Sequence, residues 1–251
     1  MKSSWLKIIA SFFAIALIAA ACGGSDSGSS DTASSSETTE KEEVIEAGTE
    51  AEGDVDTEVE GVVEAFSYGG ALTIGLEAEA TGLRPWEDPC SSPCLTMIAA
   101  IYDTLVQIRT DGSIGPWLAT DWSANEDFTE WTFNLVEGVT FHNGTPFTAQ
   151  TLVDMFPLQQ FGAAAGGIVT AAGLTEVVAV DDTTVKYVLK SAHSAFPSFL
   201  VQPPLGAAFD PEVANADFDG YSMNPIGTGA FMMEKRDLDN ETVVLRNPNY
   251  W

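Results

Sequence analysis

Cysteine and histidine are the scarce chemistry-bearing residues of this chain, with three Cys and two His in 251 residues. Cys90 and Cys94 stand in Cys90-Ser91-Ser92-Pro93-Cys94, a separation a disulfide can close if the loop turns back on itself. Paired cysteines of an exported chain become disulfides in an oxidising compartment. Metal binding by the pair is the alternative, yet neither a nearby His nor a third Cys completes a zinc-type site. His142 and His193 leave little acid–base capacity near neutral pH. No nucleophile elbow and no zinc-protease motif accompanies the Ser, His and Asp residues. Catalysis is therefore not expected, and no clustered site of His, Cys and carboxylates points to a metal or another cofactor.

The third cysteine has a different setting. Lys2 and Lys7 precede an apolar run from Ile8 to Ala21, broken by Ser11. The run is shorter than the ~20 residues a membrane-spanning helix needs. A basic start, a short apolar stretch and small residues ahead of a cut site describe an export signal over residues 1–21. Ala19-Ala20-Ala21 lead into Cys22, and cleavage before a cysteine resembles the lipoprotein pathway, in which Cys22 would carry lipid. The usual lipobox has Leu where Ala19 stands, so a plain secretory signal cut nearby is the alternative. Residues 22–66 form an acidic tract of Ser, Thr, Glu, Asp and Gly in which Lys41 is the one basic residue. Such a composition cannot bury enough apolar surface to offset its ordering entropy, so a disordered tether is expected, extended by its own charge.

The formal net charge of −27 excludes a nucleic-acid partner and disfavours anionic lipid head groups. Attachment to a membrane would rest on the lipid, with acyl burial contributing about 0.8 kcal/mol per methylene. Residues 67–251 are rich in aromatics and aliphatics and long enough to enclose a core. Strands are expected at Leu72–Leu76, Leu105–Arg109, Trp131–Leu135, Val177–Val180, Thr184–Leu189, Phe231–Glu234 and Thr242–Arg246, from apolar alternation or from runs flanking turn residues. Helices are expected from about Cys94, from an N-cap at Thr148, and over Ser194–Val201. Ala163–Gly167 reads as a loop or helix end. The pattern is mixed α/β (α+β), without a repeat of fixed period.

Several motifs of this part, in order, resemble the family 5 bacterial extracellular solute-binding proteins of peptide and nickel ABC importers. They are Tyr102-Asp103-Thr104-Leu105-Val106; Pro116, Leu118-Ala119 and Trp122; Trp131-Thr132-Phe133-Asn134-Leu135; Gly138 to Ala149, with His142-Asn143-Gly144-Thr145-Pro146-Phe147 at its centre; Asp181 to Val185; Gly227-Thr228-Gly229; and Asn247-Pro248-Asn249-Tyr250-Trp251. Gln150 and Thr151 depart from the pattern, which usually carries an acidic residue at this helix start. The strand after Gly227-Thr228-Gly229 argues against a phosphate loop. Trp131, Phe141 and Trp251 are expected in the core.

The resemblance implies a periplasmic-binding-protein-like two-lobe fold of type II, cluster C, of which this chain would hold the first lobe only. Residues 67–86 and 189–251 would form its core subdomain and residues 87–188 an inserted one. It further implies a monomeric substrate-binding lipoprotein, in the periplasm or on the outer face of the cytoplasmic membrane, that hands oligopeptides or dipeptides to a permease and its ATPase. A peptide sensor without transport and a nickel-complex binder are the alternatives. The resemblance places Glu79, Thr81, Arg84 and Trp86, with Gly227 and Thr228, near the solute. Arg84 would pair a solute carboxylate or act structurally, and Trp86 would stack on the solute or pack beneath its loop.

Overall fold

The computed structural model describes residues 69–251. The export signal, Cys22 and the acidic tether lie outside the described residues. Residues 69–251 pack as a single unit.

Four antiparallel strands form the main sheet: β3 (Ala119–Ala124), β4 (Glu130–Leu135), β5 (Leu174–Ala179) and β6 (Thr184–Leu189), in the order β3-β4-β6-β5. Alternation decides which face is buried. Trp131, Phe133 and Leu135 of β4 point inward with Val185, Tyr187 and Leu189 of β6, while Thr132, Asn134 and Lys186 point away. The Phe133 ring meets Tyr187 edge-on, with centroids 5.5 Å apart. Helix α2 (Ala149–Phe161) packs on β5 and β6 and presents buried Leu152 and Met155. Its N-cap is Thr148. Thr151 Oγ1 accepts the Thr148 N–H at 3.1 Å, so a hydroxyl takes the place of the acidic residue usual at this helix start.

Helix α1 (Ser92–Ile101) has its first turn tied to the preceding residues by the Cys90–Cys94 disulfide, whose Cα atoms are 5.3 Å apart. The β1 (Val106–Ile108) and β2 (Ile114–Pro116) hairpin turns at Gly112, whose φ of 83° favours glycine. Two further strands, β7 (Phe231–Asp237) and β8 (Glu241–Arg246), make a separate antiparallel hairpin. Helix α1 packs on β7. The resemblance allotted this helix to the inserted portion, yet it lies against the portion allotted to the core.

Some of the expected elements differ from the structure in extent or type. Leu72–Leu76 is not a strand. Leu72 and Ile74 are 85% and 62% exposed, and no strand among the described residues pairs with the segment. Alternation alone does not hold a strand without a partner for its backbone. The stretch expected as a loop or helix end at Ala163–Gly167 is a turn over residues 163–165, and its last two residues begin helix α3 (Gly166–Ala172). Its start is docked by Trp86 O, which accepts the Ala164 and Ala165 N–H groups, and its end by Gly173 at φ 67°. The helix expected over Ser194–Val201 is a 3₁₀ segment, Phe196–Val201, followed by the short helix α4 (Pro203–Gly206). Pro197, Pro203 and Pro204 lack the N–H groups a continuous α-helix would use. Helix α5 (Pro211–Ala216) completes the unit, capped by Asp210, whose side chain accepts from the Glu212 and Val213 N–H groups.

Candidate functional site

Three of the chain's motifs, Tyr102–Val106, Gly227–Gly229 and Asn247–Trp251, meet at one carboxylate. Asp103 directly follows Tyr102, the C-cap of α1, and is 6% exposed. Its Oδ1 accepts Trp117 Nε1–H at 2.9 Å and the Tyr250 hydroxyl at 3.1 Å. Its Oδ2 accepts the Thr228 hydroxyl at 2.9 Å and Trp251 Nε1–H at 3.0 Å. A carboxylate has about four acceptor sites, and all are taken. The residue thus joins the end of α1, the segment before β3, the Gly227-Thr228-Gly229 turn and the Asn247–Trp251 segment. Proximity to Asp103 and partial burial both push the Tyr250 phenol up, burial being the larger cause.

The glycine turn is seated by backbone contacts. A Cβ on Gly227 would lie 2.2 Å from Ile101 O, and one on Gly229 would lie 2.6 Å from the same oxygen. The Gly229 N–H donates to Ile101 O at 2.9 Å. From the other side, the His142 N–H donates to Gly227 O at 2.9 Å, the Gly227 N–H donates to His142 Nδ1 at 3.3 Å, and His142 Nε2 lies 3.0 Å from Gly229 O. Asn143 Nδ2 donates to Asp210 Oδ2 at 2.8 Å, and Asn247 Nδ2 donates to Gly229 O at 3.1 Å. The Tyr221 hydroxyl donates to Ile226 O at 2.6 Å just ahead of the turn, and burial pushes its phenol up.

The loop expected to face solute is held from behind as well. Arg236 of β7 has a side chain only 1% exposed. Its Nη1 donates to Ser222 O at 2.7 Å, and its Nη2 donates to Ala80 O at 2.5 Å and to Glu79 Oε1 at 3.4 Å. Ser222 Oγ in turn accepts the Leu83 N–H at 2.7 Å. This buried arginine was not legible beforehand, because Glu234-Lys235-Arg236 reads as the polar end of a strand.

The six residues singled out from sequence fall into different places. Trp86 is fully buried, stacked on Phe209 with centroids 4.0 Å apart and edge-on to Tyr221 at 5.2 Å. It packs beneath its loop and offers no platform to a solute. Arg84 is engaged internally, through two bonds to the Asp88 carboxylate at 2.7 and 3.0 Å, one to Phe218 O, and its guanidinium over the Phe218 ring at 4.5 Å. The Asp88 carboxylate raises its already high pKa. Gly227 and Thr228 are buried in the turn. Glu79 is partly exposed but bonded to Arg236 and to the Asp239 N–H. Thr81 is exposed, with its hydroxyl donating to Pro89 O at 3.3 Å. Of the three aromatics expected in the core, Trp131 and Phe141 are buried. Trp251 is 40% exposed, because its indole reaches inward only to meet Asp103 and the edge of Trp117.

The chain is similar to known proteins in sequence and in fold. The family model for bacterial extracellular solute-binding proteins, family 5 (middle), matches residues 113–251, more than half of the chain. The nickel-binding periplasmic protein of Escherichia coli K12 is 33% identical over 153 residues, covering 60% of this chain and 29% of that protein. The probable D,D-dipeptide-binding periplasmic protein DdpA of the same organism is 31% identical over 189 residues, covering 71% and 36%. Among solved structures, the Escherichia coli murein tripeptide binding protein MppA superposes with a TM-score of 0.62 at 23% identity, over 70% of this chain and 38% of that one. The chain thus spans about a third of the length of the curated relatives it matches. Its fold is that of the periplasmic binding proteins, represented here by part of a lobe. A family defined by holding solutes rather than transforming them accounts for a site made of turns and caps, and this chain belongs to it: the family 5 bacterial extracellular solute-binding proteins.

Proposed function

We propose that this chain is part of the substrate-binding component of an ABC importer, and that its solutes are dipeptides or oligopeptides. The observation that carries the proposal is the family match over residues 113–251, joined to relatives whose names specify peptides, DdpA and MppA. Thr81 and Glu79, on the loop held by Arg236, are the solute-facing members of this part. Trp86, Gly227 and Thr228 support them from inside. The protein acts as a monomer outside the cytoplasmic membrane and delivers solute to a permease and its ATPase. A nickel complex is the second reading, favoured by the nickel-binding relative. Among the described residues, no group of three His, Cys, Asp or Glu side chains is placed to hold a metal ion.

Titration calorimetry of the protein in its native length, against dipeptides, tripeptides, longer peptides and nickel(II), separates the readings. Peptide binding is expected, with a ligand at about a hundred times its Kd adding about 2.7 kcal/mol to stability. Heat from nickel and none from peptides would select the second reading. Silence from both would remove the two together.

The export signal at residues 1–21 and Cys22 complete the proposal: Cys22 is lipidated after cleavage, and residues 22–66 tether the folded part to the membrane. Cys22→Ala is expected to move the protein from the membrane fraction to the soluble one. A wild-type protein that takes up no labelled fatty acid would show a plain secretory signal instead.

A further inference from the structure

The contacts of His142 define a protonation state. A carbonyl oxygen only accepts and a backbone N–H only donates. His142 Nε2, 3.0 Å from Gly229 O, therefore carries the proton, and Nδ1, which receives the Gly227 N–H at 3.3 Å, carries none. This is one tautomer of the neutral ring. An imidazolium bears a proton on both nitrogens, so Nδ1–H would confront the Gly227 N–H and that bond would be lost.

We propose that His142 is an acid-sensitive latch between the chain's two motif turns: when the ring takes up a proton it gives up the Gly227 amide, and the Gly227–Gly229 turn loosens from the His142–Gly144 turn. Protonation leaves the His142 N–H bond to Gly227 O and the Asn247 Nδ2 bond to Gly229 O in place, so the turn loosens at the Gly227 amide rather than detaching. Loosening there reaches α1, since both glycines lie against Ile101 O.

The surroundings oppose protonation on balance. Burial holds the imidazole below its ordinary value of 6.5, against the upward pull of Gly229 O and of the Asp103 carboxylate. Asp103, after α1, is the charged group facing the ring from that side, with both oxygens bonded elsewhere. Asp210, at the start of α5, stands behind Asn143 and is bonded to it and to the Glu212 and Val213 N–H groups. The glycine turn itself brings no charge, and Tyr102, beside Gly227, does not titrate in acid. With the folded value below the unfolded one, the latch contributes fully above pH 6.5 and is lost as pH falls through the folded value.

Amide hydrogen exchange of the native-length protein, corrected for intrinsic rates and run at about pH 7.5 and at a pH below the His142 midpoint read from its ring protons by NMR, tests the latch. Protection of residues 226–229 is expected to fall several-fold at the lower pH in the wild type and to keep one value at both pH values in His142→Gln, while strand β4 is steady in both. Equal wild-type protection at the two pH values would overturn the proposal. So would the same acid loosening in His142→Gln, which would assign the effect to a group other than His142. Should His142→Gln loosen the turn at every pH, the wild-type ring protons decide by NMR. A His142 midpoint below 6.5 is expected, and one at or above it would overturn the latch.

Discussion

Replacing Asp103 with alanine is expected to remove about 3–4 kcal/mol of folding stability, read as a lower urea midpoint at an unchanged slope. The cost comes from the partners left behind. Thr228 is fully buried and the partly buried Trp117 indole can only donate, so both lose an acceptor that alanine does not replace. Tyr250 and Trp251 are 39% and 40% exposed and can turn to water, which keeps the total below the sum of four orphaned donors. Asparagine is expected to rescue little despite its shape. One of its two positions must be an NH₂, and each position faces an indole N–H, Trp117 at Oδ1 and Trp251 at Oδ2. Either amide orientation therefore sets donor against donor. Asp103→Asn with wild-type stability would show that the carboxylate's second acceptor is not needed.

Gly227→Ala is expected to cost about 3 kcal/mol. The added methyl would lie 2.2 Å from Ile101 O and 2.7 Å from Tyr102 Cδ1. A backbone carbonyl at the end of a helix cannot step aside as a flexible side chain can. Relief would require α1 to move off the turn and would strain the Gly229–Ile101 and His142–Gly227 bonds with it. The control is Gly167→Ala in α3, where the new methyl meets nothing within 4 Å. That change is expected to be neutral or to stabilise by up to about 1 kcal/mol, through helix propensity. Equal costs at the two glycines would mean that the close approach at Gly227 does not exist in solution.

Much of the fold was legible because it depends on local chemistry. The β4 and β6 alternation, the Asp111-Gly112 turn and the Thr148 cap each rest on neighbours a few residues apart. Leu72–Leu76 shows the limit: its alternation is real, but a strand also needs a partner, and pairing is not written in the segment itself. The site was less legible for a related reason. Arg84 and Trp86 are the residue types that grip solutes, and the same properties suit them to Asp88, Phe218, Phe209 and Tyr221. Which use prevails depends on contacts more than 100 residues away in sequence, such as Arg84 to Phe218 at a separation of 134. Asp103 was read as one letter of a motif, and its role emerged only when Trp117, Thr228, Tyr250 and Trp251 were found around it. Three of the motifs that carry the family resemblance converge on Asp103 and hold the scaffold there.

A double-mutant cycle on the native-length protein, pairing Asp103→Ala with Thr228→Val, measures that convergence directly. If the motifs are joined through this carboxylate, the two changes are non-additive, and removing Thr228 costs at least about 1 kcal/mol less once Asp103 is gone. Costs that simply add would contradict the account, because the turn and the end of α1 would then be stabilised independently.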